Sequence, residues 1–226
     1  MKESIYSIPI SEAFEVYEGC PFCRIYSRLE QHLVEYITGP AMMEPDVRIN
    51  ANEKGFCRNH YNMTILQKNR LSVALMLQTR LEWLLDDIYK GKGRGFSFKK
   101  EDNPKRDNCV ICENIDREYK RVIGNAAVVW AKESEFKSLY ARQEYICYPD
   151  YKKVTEVARK KLKGAELDAF LKITTALAAK RIKELKSDID AFCNLYDYRS
   201  AGEAPDEKTA AAIENAVMYL TRTQER

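Results

Sequence analysis

An all-α fold follows from the sequence on three grounds. Apolar residues recur at helical spacing in several long stretches. Strand-like alternation is almost absent. Six of the seven cysteines fall into two copies of one spacing, and internal repetition at a fixed period marks a repeated structural unit. The expected architecture is two tandem copies of a helical unit followed by a C-terminal helix.

The spacing is specific. Cys20-Pro21-Phe22-Cys23 is a CxxC, and Cys57-Arg58-Asn59-His60 is a CxxH beginning 34 positions after Cys23. Cys109-Val110-Ile111-Cys112 is a second CxxC, and Cys147-Tyr148-Pro149-Asp150 is a CxxD beginning 35 positions after Cys112. The offsets between copies are 109 − 20 = 89, 112 − 23 = 89, 147 − 57 = 90 and 150 − 60 = 90. One inserted residue accounts for the difference. Phe56 and Ile146 precede the third cysteine of each copy, and Tyr61 and Tyr151 follow the fourth position.

The elements follow in order. Residues 24–38 place Ile25, Leu29, Leu33, Tyr36 and Ile37 on one helical face, and Gly39-Pro40 ends the helix. Segment 40–56 reads as irregular. Residues 61–90 form a longer helix carrying Ile65, Leu66, Val73, Leu77, Leu81, Leu84, Leu85 and Ile88. Segment 91–108, with three glycines, a proline and many charges, reads as an exposed linker. In the second copy residues 113–131 place Ile115, Tyr119, Val122, Ile123 and Ala126 on one face. Helices over 150–163 and 165–196 follow, broken near Gly164. Ala201-Gly202-Glu203-Ala204-Pro205 interrupts the chain before a last helix at about 206–222, with Pro205 near its first turn. The expected division is a first unit at 1–90, the linker at 91–108, a second unit at 109–200 and the C-terminal helix at 201–226.

Composition excludes some partners. The net charge is only +3 over 226 residues, with 45% hydrophobic and 31% charged residues. That is ordinary for a soluble globular chain and makes no case for nucleic acid or membrane. The N-terminus lacks the pattern of a signal peptide, and no stretch approaches the ~18 consecutive apolar residues of a membrane helix. A cytoplasmic location is expected. Disulfides are rare there, so the cysteines point to metal or redox chemistry.

Two cysteines three apart can turn around one ion with both sulfurs at about 2.3 Å, and a second such pair supplies the other two corners of a tetrahedron. A helix start favours thiolate over thiol. Cys20, Cys23, Cys57 and His60 therefore read as a closed Cys3His zinc site within the first copy. Cys109, Cys112, Cys147 and Asp150 read as a Cys3Asp site within the second, with Cys193 the alternative fourth ligand. An iron–sulfur cluster stays open, since Cys3His is not exclusive to zinc. A thioredoxin-type dithiol needs a βαβ setting that the pattern lacks. Buried reduced cysteines acting as small hydrophobes would explain one or two, not six in register. Six thiolates and two zinc ions would lower the net charge from +3 to about +1.

No Ser-His-Asp set, phosphate-binding glycine loop or HExxH occurs, and no catalytic residue is assigned. His32, Glu44, Asp46, Arg48, the Asn69-Arg70 pair and Asp197-Tyr198-Arg199 are polar positions that surface pairing or capping would explain. The expected role is a non-enzymatic interaction or regulatory module held by structural metal, with an unspecified protein or small-molecule partner. A thiol- or metal-based redox sensor reacting at the second copy is the alternative, and an enzyme with an open metal site a weaker one.

The residues also resemble a known pattern. Met1-Lys2-Glu3, Tyr6-Ser7-Ile8-Pro9, Cys20-Pro21-Phe22-Cys23, Met43-Glu44-Pro45-Asp46-Val47-Arg48, Gly55-Phe56-Cys57-Arg58-Asn59-His60-Tyr61 and Asn69-Arg70-Leu71 together resemble the bacterial family called domain of unknown function 6062. Cys109 to Cys112 and Asp197-Tyr198-Arg199 fit as well. The resemblance implies a bacterial, cytoplasmic, single-chain protein and brings no activity with it.

Overall fold

The computed structural model describes residues 8–90, 109–196 and 205–222. The linker expected at 91–108 and the triplet Asp197-Tyr198-Arg199 lie outside the described residues. Among the described residues there are eleven α-helices and no strand. None of these helices is long and apolar enough to cross a membrane.

In chain order the helices are α1 (Ile8–Glu15), α2 (Pro21–Thr38), α3 (Pro45–Lys54), α4 (Arg58–Ile65), α5 (Arg70–Lys90), α6 (Val110–Lys132), α7 (Ser134–Ala141), α8 (Tyr148–Lys161), α9 (Gly164–Asn194), α10 (Glu207–Ala210) and α11 (Ala212–Thr221). The expected stop at Gly39-Pro40 and the break at Gly164 are present. Gly164 has φ 55°, a left-handed conformation that costs glycine nothing. Two expectations differ. The helix over 61–90 is two helices, because the Asn69 side chain accepts the Ser72 amide at 3.1 Å and starts α5 afresh. Segment 40–56 is not irregular: a short 3-10 turn over Pro40–Met43 leads into α3. Pro45 starts that helix, but its apolar residues follow no helical period, so periodicity could not reveal it.

The chain forms two compact units, and neither is one of the sequence copies. Unit 1 joins residues 1–27 to residues 119–226, and unit 2 is residues 28–118. Unit 1 is built on aromatic rings. Phe14 stacks on Tyr140 with centroids 5.4 Å apart and meets Phe22 edge-on at 5.4 Å. Phe170 lies 5.1 Å from Tyr140 and 5.1 Å from Trp130. The buried Tyr140 hydroxyl is satisfied by Thr174 Oγ1 at 2.8 Å. In unit 2, α3 packs on α5. Arg48 ties them, donating to the Leu75 carbonyl at 3.1 Å and to Thr79 Oγ1 at 3.2 Å. Val34, Ile37, Ala51, Val73 and Met76 are buried there.

Candidate metal centres

Each of the four cysteine motifs opens a helix. Cys57 and Cys147 are the N-caps of α4 and α8, so His60 and Asp150 fall in the first turn. The Cys20 carbonyl accepts the amides of Cys23 and Arg24, and the Cys109 carbonyl accepts that of Glu113, which puts these cysteines at the starts of α2 and α6. The N-cap side chain and the side chain three residues on face each other, the geometry of a capping box. A CxxC, CxxH or CxxD at a helix start therefore aims both ligands at one point. That point is the positive end of a helix, which favours thiolate and carboxylate.

The candidate ligands gather in two groups that could each hold a metal ion, with their ligand atoms within 4.8 Å of one another. The His60 centre, in unit 2, holds Cys57, His60, Cys109 and Cys112. His60 Nδ1 is 3.2 Å from the sulfurs of Cys57 and Cys109 and 3.4 Å from that of Cys112. Cys57 and Cys112 sulfurs are 3.8 Å apart. Tetrahedral zinc with Zn–S bonds of about 2.3 Å needs sulfurs roughly 3.8 Å apart, so these side chains fit such an ion. On the far side of the imidazole, Nε2 lies 3.0 Å from Glu30 Oε1. A carboxylate on the outer nitrogen is the usual means of fixing a metal-binding histidine's tautomer. Gly55 shapes the approach to Cys57. Its φ is 67°, and its carbonyl accepts the Val110 amide at 3.1 Å, joining the starts of α4 and α6.

The Asp150 centre, in unit 1, holds Cys20, Cys23, Cys147 and Asp150, all buried. Asp150 Oδ2 faces the sulfurs of Cys147 at 3.1 Å, Cys23 at 3.4 Å and Cys20 at 3.6 Å. Cys23 and Cys147 sulfurs are 3.4 Å apart. Oδ1 turns the other way, accepting from the Tyr119 hydroxyl at 2.8 Å and from Arg222 Nε at 3.1 Å and Nη2. The Arg222 guanidinium lies over the Tyr26 ring at 3.9 Å. These cysteines are free rather than disulfide-bonded.

The expected pairing within each copy is thus corrected. The CxxC of the first copy meets the CxxD of the second, and the CxxH of the first meets the CxxC of the second. Cys20 and Cys23 do not share a group with Cys57 and His60. Cys193 is exposed and belongs to neither group, which leaves Asp150 in the fourth place. Glu30, Tyr119 and Arg222 carry no motif and were not foreseen as site residues. One signal was present for two of them. Glu30 and Tyr119 each stand seven residues beyond the second cysteine of their own CxxC, 89 apart, the same offset as the CxxC pairs.

Metal aside, proton affinity divides the centres. At the His60 centre, the hydrogen bond from Cys112 outweighs burial and, with one from His60, brings the Cys109 thiol down to about 3. Burial lowers the His60 value, but hydrogen bonds to Cys109 and Glu30 outweigh it and raise it to about 10. At the Asp150 centre burial pushes Cys20 up to about 12 and raises the Asp150 carboxyl. The hydrogen bonds of Cys20 and Cys23 raise Cys147 further.

The other polar positions do ordinary work. Glu44 accepts the Tyr36 hydroxyl at 3.2 Å. Asp46 lies in the first turn of α3. His32 is exposed beside Tyr36.

Comparison with known proteins places the whole chain. No curated protein and no solved structure matches it. One family description matches residues 1–226: the chain belongs to the family of unknown function DUF6062.

Proposed function

We propose that this is a cytoplasmic zinc protein whose two centres are structural and whose helical body serves as an interaction or regulatory module. One observation carries the reading: each centre gathers four ligand atoms within 4.8 Å from two helix starts that are distant in sequence. Closed sets of four protein ligands are the mark of structural zinc, whereas catalytic zinc keeps a position open. Here the chain's own residues fill all four. Bound zinc would cross-link α4 to α6 and α2 to α8, adding its binding energy to folding. Glu30 orients His60, and Tyr119 and Arg222 orient Asp150.

The experiment is metal analysis of protein purified without chelators. Two zinc per chain supports the reading. Iron with visible absorbance replaces zinc by a cluster, and a metal-free, fully folded protein sinks it.

A redox-sensing role has one observation in its favour, at the His60 centre rather than at the second CxxC-CxxD pair. Cys57 and Cys112 are half-exposed. All four ligands of the Asp150 centre are buried. Zinc-bound cysteines are all thiolates, so access decides which centre an oxidant reaches first. Mild peroxide should therefore release the first zinc from the His60 centre. Mass-spectrometric mapping of the oxidised cysteines checks this, and oxidation at Cys20 or Cys147 first would contradict it.

A further inference from the structure

Asp150 serves two partners at once. Oδ2 faces the three sulfurs, and Oδ1 is held by Tyr119 and Arg222. Arg222 is the residue immediately after α11, and it is the cap of that helix. Its φ is 80°, a region that side chains other than glycine's avoid unless their contacts hold them there. The contacts are Asp150, the Tyr26 ring at 3.9 Å and the Tyr119 ring at 5.2 Å.

α11 buries few side chains. It packs on α8 and α9, yet only Ala212 and Tyr219 of its ten residues are buried. The Tyr219 hydroxyl donates to the Ala178 carbonyl of α9 at 3.0 Å. Ile213, Val217 and Leu220 are exposed. A helix of this length does not hold its shape in water without docking.

We propose that Arg222 makes the Asp150 centre a metal-dependent latch for α11: metal on Oδ2 and docking of α11 through Oδ1 reinforce each other. The proposal rests on the Asp150 centre being a metal site, as argued above. A loaded centre of three thiolates, one carboxylate and a divalent ion carries a net charge of −2. Metal on Oδ2 would hold Oδ1 turned towards the guanidinium, which halves that charge. Oδ1, once tied to Arg222 and Tyr119, keeps Oδ2 aimed at the sulfurs. Such coupling is reciprocal by thermodynamic necessity. Loss of the metal would loosen α11 and bare the face of α9 beneath it, where Ala178 is buried.

The test uses the full-length chain. Amide hydrogen exchange is followed over residues 212–221 with and without zinc, and zinc affinities are measured by chelator competition. Wild type, Arg222→Ala and Arg222→Lys are compared. In wild type, zinc should slow exchange across α11 by about tenfold or more. In Arg222→Ala, α11 should exchange fast whether or not zinc is present. One of its two zinc ions should be held roughly 10–100-fold more weakly, the usual cost of removing an outer-shell partner. The ion at the His60 centre should be unaffected and reports that the variant is folded. Arg222→Lys keeps the charge but not the fork, and should recover part of both effects. If wild type binds two zinc ions but α11 exchange ignores them, the latch fails while the metal reading stands. The latch fails in the same way if Arg222→Ala holds both ions as wild type does. If wild type takes up no metal at the Asp150 centre, both fail together.

Discussion

Glu30 shows how one side chain can decide the quality of a metal site from outside it. Its carboxylate, 3.0 Å from His60 Nε2, leaves Nδ1 as the nitrogen facing the sulfurs. Replacing Glu30 by Ala should weaken one of two zinc ions by about 10–100-fold, with Glu30→Gln milder because its amide oxygen still accepts. Chelator competition measures this; equal affinities in all three proteins would leave Glu30 no role. Cys20 makes a prediction about pH. Its folded value is raised from 9.0 to about 12, so the unfolded chain ionises first. The unfolded state then binds fewer protons, and the stability of metal-free protein falls as pH rises from 9 towards 12. The slope is about 1.4 kcal/mol per pH unit for such a group. A zinc-bound Cys20 has no proton to lose, so the loaded protein should fall less steeply. Urea unfolding at pH 8 and pH 10.5 compares the two, and parallel losses would contradict it. The eight residues of the two groups were legible in the sequence, because CxxC, CxxH and CxxD are compact signals at a helix start. Glu30 and Tyr119 carry only the shared 89-residue offset as a signal, because each sits mid-helix outside any motif. Arg222 lies in a tail whose composition singles out nothing.

The helices were legible where apolar residues keep a 3.6-residue period, as in α2, α6 and α9. They were not where capping overrides the period, as at Asn69, or where no period exists, as in α3. The pairing of motifs is hidden from the sequence for a different reason. Adjacent motifs are 34 residues apart, from Cys23 to Cys57, whereas Cys23 and Cys147 are 124 apart. Loop closure over the longer span costs only about 1 kcal/mol more, because the cost grows with the logarithm of length. Helix packing easily outweighs that, so proximity in sequence is a poor guide to which helix starts meet. Zinc stoichiometry of serine pairs tests the crossed arrangement. Cys23→Ser with Cys147→Ser should keep one zinc, as should Cys57→Ser with Cys112→Ser. Cys23→Ser with Cys57→Ser should keep none. One zinc retained in that last variant would restore the pairing within copies.

The crossing also governs how the chain can be divided. Sequence repetition suggests cutting near residue 100 into two self-sufficient copies. The compact units are cut elsewhere, at 27/28 and 118/119, with unit 1 drawing on both chain ends. A fragment of residues 1–90 carries Cys20 and Cys23 without Cys147 and Asp150, and Cys57 and His60 without Cys109 and Cys112. It also carries Phe14 and Phe22 without Phe136, Tyr140 and Phe170, the rings they pack among or near. A fragment of residues 109–226 has the complementary deficits. Zinc uptake by a fragment alone decides little, because the three thiols and His60 of the first fragment, or the four thiols of the second, can chelate an ion without a core. Cooperative unfolding decides, because it needs the buried aromatic surface of unit 1. Each fragment alone should lack a sigmoidal thermal transition even with zinc in excess. The two mixed with zinc should regain two ions per pair, near-ultraviolet circular dichroism from the packed rings and a single transition. A cooperative transition in the isolated 1–90 fragment with one bound zinc would show that the first copy folds alone, and the crossed architecture would then be wrong.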